Sequence, residues 1–157
     1  MLDGGEMKMS KVFISFLGTS EYKPVTYYFR ERKVQNVKYV QEAILKLLCS
    51  DFTENDRVIV FLTEAAKEKN WEKIDTDKIG LKKTLEEAKK ELRIYFQIES
   101  VAIPEGRTEK EIWEIFSIVF NKLNSNDELI LDVTHAFRSI PILSVVLLNY
   151  ARFLKCI

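Results

Sequence analysis

The sequence predicts an α/β fold of the Rossmann-like, doubly wound type, with a mainly parallel sheet and helices on both faces. Four short apolar segments rich in β-forming residues alternate with helical patterns along the chain: Lys11–Leu17, Arg57–Leu62, Arg93–Ile103 and Leu129–Val133. Continuously apolar strands of this kind are typical of a parallel sheet that is covered on both faces. The length of 157 residues fits a single domain.

The first third of the chain predicts a strand, a hairpin and a helix. Lys11–Leu17 is apolar and stops at a Gly-Thr-Ser turn, as a buried strand does. Val25–Phe29 and the residues near Val34 predict a small hairpin around the sequence Arg-Glu-Arg-Lys. Asn36–Cys49 places apolar residues at helical spacing and therefore predicts the first helix.

The middle of the chain predicts a second strand and two helices. Arg57–Leu62 is the strand, and Thr63 after it is a typical N-cap for a helix. Asp75–Gly80 is polar and predicts a loop. Leu81–Leu92 carries opposite charges four residues apart, which indicates a solvated helix.

The last third predicts two more strands, each followed by a helix. Arg93–Ile103 contains the third strand, and Thr108 with Glu111 forms a capping-box pattern before an apolar helical stripe. Leu129–Val133 is the fourth strand. Ile140–Leu154 then predicts a strongly apolar helix, and because a strand is expected to follow it, we expect the chain to be a fragment of a longer protein.

Composition excludes several classes of protein. Lys plus Arg number 24 and Asp plus Glu also number 24, so we expect no DNA binding through bulk positive charge. The dinucleotide-binding and P-loop glycine patterns are absent, and a single histidine excludes a His-rich metal site. We therefore expect neither a cofactor nor a metal.

The sequence also predicts a cytoplasmic protein. No apolar run reaches the roughly 18 residues that a membrane span requires. Residues 1–10 lack the apolar core of a signal peptide, so we interpret them as a leader or an expression remnant before a domain over residues 11–157. Cys49 and Cys156 lie far apart and are expected to be free thiols in a reducing compartment.

Two loops are predicted to form the ligand site. In the common strand order 3-2-1-4, ligands bind where the carboxyl ends of the first and fourth strands adjoin. The loops leaving those strands are Leu17–Lys23 and Asp132–Ser139. In the first, Gly18 allows a tight turn or close backbone approach, while Thr19 and Ser20 offer hydroxyls to an oxyanion; alternatively, the three residues simply form a turn or cap a helix.

The second loop carries the richer set of hydrogen-bonding side chains. Arg138 near a helix start can donate a fork of hydrogen bonds to a phosphate, and Thr134 can bind a phosphate or a ribose hydroxyl. Asp132 either orients Arg138 through a salt bridge or caps the turn. His135 is either a general acid or base or a packed, hydrogen-bonded ring.

Four segments are together typical of one protein family: KVFISFLGTSEYKPVTYYF, VQEAIL, IPEGRTEKEIWEIF and LILDVTHAFRSIPILSVVLLNYA. On these segments, from about Lys11 to Leu154, the sequence resembles the CRISPR-associated type III accessory proteins with an N-terminal CARF (CRISPR-associated Rossmann fold) domain. It is most similar to the subgroup with an Asp-x-Thr-His-Gly-Phe-Arg-Ser-x-Pro motif. Ala136 stands where that motif has Gly.

The resemblance implies a homodimeric sensor that binds cyclic oligoadenylate, a tetra- or hexa-adenylate ring, and regulates an effector domain in the full-length protein. The ligand-binding residues carried over from the family are Gly18, Thr19, Ser20, Asp132, Thr134, His135, Arg138 and Ser139. The effector in this family is a HEPN ribonuclease with an Arg-x4-His motif. That motif is absent here, because Ile130 stands five residues before His135.

An alternative that the resemblance also implies is a ring nuclease. Some CARF domains cleave their ligand without a metal, by attack of a ribose 2′-OH on the adjacent phosphate, and leave linear products that end in a 2′,3′-cyclic phosphate. In that case the catalytic candidates are Ser20, His135 and Arg138.

Overall fold

The backbone of residues 9–72, 74–75, 78–135 and 140–155 is described by the computed structural model. Eight strands and five helices follow one another in these ranges: β1 (Lys11–Leu17), β2 (Val25–Phe29), β3 (Arg32–Val37), α1 (Val40–Leu48), β4 (Arg57–Leu62), α2 (Glu64–Ala66), β5 (Ile74–Asp75), β6 (Lys78–Ile79), α3 (Leu81–Leu92), β7 (Gln97–Ala102), α4 (Glu109–Asn121), β8 (Glu128–Leu131) and α5 (Ile140–Lys155). A π-helical turn, Lys67–Trp71, continues α2.

The central sheet has four parallel strands in the order β7-β4-β1-β8. β1 pairs along its length with β4, and its first four residues pair with β8. Numbered along the chain, these are the third, second, first and fourth strands of the central sheet. The predicted order 3-2-1-4 and the Rossmann-like, mainly parallel α/β fold are confirmed.

Two apolar cores cover the two faces of the sheet. On one face, Phe13 and Val58 pack with Leu45 of α1 and Leu85 of α3. Alternate residues of the same strands, Val12, Ile14, Ile59 and Phe61, point to the opposite face and pack with Ile115 and Val119 of α4 and Leu147 and Ala151 of α5. Because successive side chains of a strand alternate between faces, β1 and β4 contribute to both cores.

Several predicted boundaries differ from the structure. The hairpin is confirmed as β2 and β3, but β3 runs to Val37, so α1 starts at Val40 and not at Asn36. Asn36 takes a left-handed backbone with a φ of 56°, which a helix start does not accommodate. The predicted loop Asp75–Gly80 contains the last residue of β5 and all of β6, which pair as a short antiparallel ladder.

The third helix matches its predicted bounds but not its predicted exposure. α3 spans Leu81–Leu92, as the charge pattern indicated. One side of it is not solvated, because its residues Leu81, Leu85 and Ala88 are buried in the core. The charged residues occupy the other side of an ordinary amphipathic helix.

Threonine caps begin two of the helices, as predicted. The Oγ1 of Thr63 accepts the N–H of Ala66 at 3.2 Å, and the Oγ1 of Thr108 accepts the N–H of Glu111 at 3.2 Å. The carboxylate of Glu111 accepts the N–H of Arg107, one residue before the N-cap. The predicted capping box is therefore present in a shifted form.

None of the helices in the described ranges has both the length and the apolar character that a membrane span requires. Residues 1–8 of the predicted leader, and Cys156, lie outside the described residues.

Cys49 provides a direct test of the core between the sheet and α1. The residue is fully buried, and burial raises the pKa of its thiol to about 12. At pH 8 such a thiol is ionised to only about one part in 10⁴, and the thiolate is the reactive form. We therefore expect the Cys156→Ser variant, which keeps Cys49 alone, to resist N-ethylmaleimide until guanidinium unfolds it. Mass spectrometry reads the labelling, and rapid modification of the folded protein would contradict this placement of Cys49.

Candidate ligand-binding site

The loops that follow β1 and β8 meet at one edge of the sheet. These strands are adjacent and parallel, so their carboxyl ends lie side by side. A Cβ added to Gly18 would lie 3.6 Å from the carbonyl oxygen of His135 and 3.8 Å from its Cβ. The structure therefore brings together the two loops that the sequence singled out.

Tyr22 links the two loops. Its phenol oxygen accepts the N–H of Gly18 at 3.1 Å, and its ring meets His135 edge-on, with the ring centroids 4.7 Å apart. The ring also packs on Tyr39, with the centroids 5.3 Å apart. Burial raises the pKa of the Tyr22 phenol, so the hydroxyl stays protonated at neutral pH. A Cβ at position 18 would stand 3.1 Å from this hydroxyl, so the Tyr22 side chain would have to move by a few tenths of an ångström to accommodate it.

Asn70 fixes the carbonyl groups of the first loop. It belongs to the π-helical turn after α2 and is 5% exposed. Its Nδ2 donates to the carbonyl oxygen of Gly18 at 2.7 Å and to that of Ser20 at 3.0 Å. The carbonyl oxygen of Asn70 accepts the hydroxyl of Tyr39 at 3.3 Å. One buried amide therefore sets the course of the backbone through Thr19.

Asp132 fixes the second loop to the centre of the sheet. The residue is 5% exposed, and its Oδ2 accepts the hydroxyl of the fully buried Ser15 at 2.7 Å. Its Oδ1 accepts both the N–H and the hydroxyl of Thr134, at 3.0 and 2.6 Å. The side chain thus caps the turn, which is one of the two roles that the sequence left open.

Among the described residues of the two loops, hydroxyls and an imidazole ring face solvent. Thr19, Ser20 and Thr134 are exposed, and His135 is half-buried. Among the residues that the structure describes, no group of three or more His, Cys, Asp or Glu side chains is placed to hold a metal ion. The hydroxyls of Thr19, Ser20 and Thr134 can donate hydrogen bonds to an oxyanion.

The matching family model is that of the CARF domain of the CRISPR system endoribonuclease Csx1, and the match covers residues 12–157. The chain belongs to the CARF-domain family of Csx1. It is also 43% identical, over 53 residues, to CRISPR-associated protein MJ1674 of Methanocaldococcus jannaschii. That match covers 32% of this chain and only 8% of the relative, so the chain corresponds to a small part of that protein.

The predicted site residues of this CARF domain divide into two groups. Six of them lie on the two adjoining loops: Gly18, Thr19, Ser20, Asp132, Thr134 and His135. Arg138 and Ser139, and also Ala136, lie outside the described residues. The ligand-binding roles of all eight residues, and the catalytic roles of Ser20, His135 and Arg138, stay predictions.

Sequence reasoning missed three residues that shape the CARF site. Ser15 is the one hydroxyl in an apolar strand, and a buried hydroxyl needs a partner, so it carried a usable signal. Tyr22 lay inside the predicted loop but was not singled out. Asn70 reaches the site from a separate segment, and no local pattern marks it.

Proposed function

We propose that this CARF domain is the cyclic oligoadenylate sensor of a type III CRISPR antiviral defence protein. It binds the ring across a homodimer axis and regulates an effector domain of the full-length protein. The observation that carries the proposal is the convergence of Gly18 with His135 at the carboxyl edge of β1 and β8, in a chain of the CARF family.

The chemistry of the two loops supports a ligand with several phosphates. Exposed hydroxyls at Thr19, Ser20 and Thr134 can donate to phosphate oxygens. A dimer places a second copy of these groups around the same ring, so no bulk positive surface is required. The zero net charge of the chain is compatible with this arrangement.

Binding is tested by calorimetry and thermal shift with cyclic tetra-adenylate and cyclic hexa-adenylate, in buffer without metal. We expect one ring to stabilise the protein by about 2.7 kcal/mol when it is present at about one hundred times its dissociation constant. Analytical ultracentrifugation of the same samples is expected to show a dimer. Linear tetra-adenylate is the control for charge alone, and absence of a response to both rings would overturn the proposal.

Chromatography of the same mixtures separates a sensor from a ring nuclease. A sensor returns the ring intact. A ring nuclease forms a bond between the ribose 2′-oxygen and the adjacent phosphorus, breaks the bond from that phosphorus to the 5′-oxygen, and leaves a 5′-hydroxyl. Linear products that end in a 2′,3′-cyclic phosphate, and that are absent with the His135→Ala variant, would mean that the domain is a ring nuclease.

A further inference from the structure

A cavity of about 330 Å³ adjoins the loop that follows β1. Its walls come from that loop, the residues before α1, the π-helical turn and strand β6. The lining includes Glu21, Tyr22, Lys38, Lys69, Asn70 and Lys78. The volume lies at the lower end of the range for small-ligand sites.

Positive charge is in excess around this cavity. Three of the lining residues, Lys38, Lys69 and Lys78, carry ammonium groups, and Glu21 carries the one carboxylate among the lining side chains that the structure describes. That carboxylate lies 3.5 Å from the Nζ of Lys78. In the described part of the chain, Lys38 and Lys69 take part in no ion pair. Among the described lining residues, three ammonium groups therefore face one carboxylate, which leaves positive charge available to a ligand.

Of the three lysines, Lys38 is the one whose charge a bound anion would stabilise most. It is half-buried, and its Nζ lies over the ring of Tyr39, 4.8 Å from the centroid. Burial and the nearby ammonium of Lys78 lower the pKa of Lys38 and outweigh the opposite effect of the Glu21 carboxylate. A partly desolvated charge beside a like charge is unfavourable, and a bound phosphate would relieve both effects.

The cavity is continuous with the loop of the proposed ligand site. Glu21 and Tyr22 follow Ser20 directly in the chain and line the cavity. Asn70, which also lines it, donates to the carbonyl oxygens of Gly18 and Ser20. A ligand lying over Thr19 and Ser20 can therefore extend into the cavity along the same loop.

We propose that the cavity holds a phosphate group of the cyclic oligoadenylate, with Lys38, Lys69 and Lys78 as its donors. The inference rests on the proposed function and adds the anchoring point of the ring on each protomer. Thr19 and Ser20 then contact one part of the backbone of the ring, while the lysines hold another. Charge from the cavity supplies attraction that the hydroxyls of Thr19 and Ser20 do not.

The test is calorimetric titration of the full chain with cyclic tetra-adenylate and cyclic hexa-adenylate. We expect Lys38→Gln and Lys69→Gln each to weaken binding about fivefold and to reduce the slope of log K against log salt by about 0.7. Glu21→Gln is expected to tighten binding, because it removes the opposing charge. Lys90→Gln, on the exposed side of α3, is the control and should bind as the wild type does.

Each outcome has a distinct meaning. If the wild type binds a ring and Lys38→Gln and Lys69→Gln bind it equally well, the proposal that the lysines hold a phosphate is wrong. The proposed function then still stands. If the wild type binds neither ring, the proposed function and this inference fail together. Lys69 is exposed, so we expect its replacement to leave folding unchanged. Lys38→Arg keeps the positive charge and should therefore bind the ring as the wild type does. Opposite effects of the lysine and glutamate changes would not arise from a purely structural role.

Discussion

Replacing Asp132 with alanine is expected to lower the free energy of unfolding by about 2–4 kcal/mol and to weaken binding of the adenylate ring more than tenfold. The carboxylate accepts three hydrogen bonds, from the hydroxyl of Ser15 and from the N–H and hydroxyl of Thr134. Removing it leaves the hydroxyl of Ser15 buried without its acceptor. It also frees the loop that carries Thr134 and His135 from the sheet, so stability and binding fall together.

Asp127 provides the matched control, because it is a buried aspartate at the opposite end of the same strand. Its Oδ2 accepts Nη2 of Arg57 at 2.8 Å and the N–H of Asn124 at 2.7 Å. Asp127→Ala should cost a similar free energy in urea unfolding but leave ring binding unchanged. Equal losses of affinity in both variants would mean that Asp132 acts only through global stability.

A double-mutant cycle measures how much the hydrogen bond between Ser15 and Asp132 contributes to stability. Ser15→Ala removes the donor, and the combination with Asp132→Ala reports the coupling between the two side chains. We expect a coupling of about 1 kcal/mol, because the second change cannot remove a hydrogen bond that is already lost. A coupling near zero would contradict the contact between Ser15 and Asp132.

The sheet could be predicted from the sequence because its signals are local. Three of the four parallel strands, β1, β4 and β8, are mainly apolar runs, while β7 at one edge of the sheet is mixed in character. The strand order is a common one in doubly wound sheets. The start of α1 could not be predicted in the same way. Val37 fits the helical spacing as well as the strand, and the left-handed backbone at Asn36 leaves no mark in an apolar pattern.

The candidate site was predictable only in part. Both loops follow strands that the pattern located, so Gly18 and His135 were expected to lie near each other and do. The lysine cavity was not predictable, since Lys38, Lys69 and Lys78 come from three segments that only the fold brings together. A net charge of zero gives no sign of this group of lysines, because it is summed over the whole chain.

Replacing Asn70 with alanine is expected to weaken ring binding about tenfold, with a loss of about 1–3 kcal/mol in the free energy of unfolding. The amide Nδ2 is the shared donor for the carbonyl oxygens of Gly18 and Ser20. Without it, both carbonyls lose their donor, and the backbone through Thr19 is no longer held in position for the ligand. Amide hydrogen exchange at Thr19 and Ser20 should accelerate in the variant, which links the loss of affinity to the loop itself.

Asn70→Asp tests hydrogen-bond donation by Asn70 separately from the volume of its side chain. The carboxylate has nearly the same shape but can only accept hydrogen bonds, so it faces two carbonyl oxygens that it repels. We expect this variant to be at least as impaired as Asn70→Ala, both in melting temperature and in ring affinity. Asn55→Asp, at an exposed asparagine before β4, makes the same chemical change away from the site and should have no effect on binding. If Asn70→Asp bound the ring as tightly as the wild type, donation by Asn70 could not be what positions the loop, and Tyr22 would be left as its main support through the N–H of Gly18.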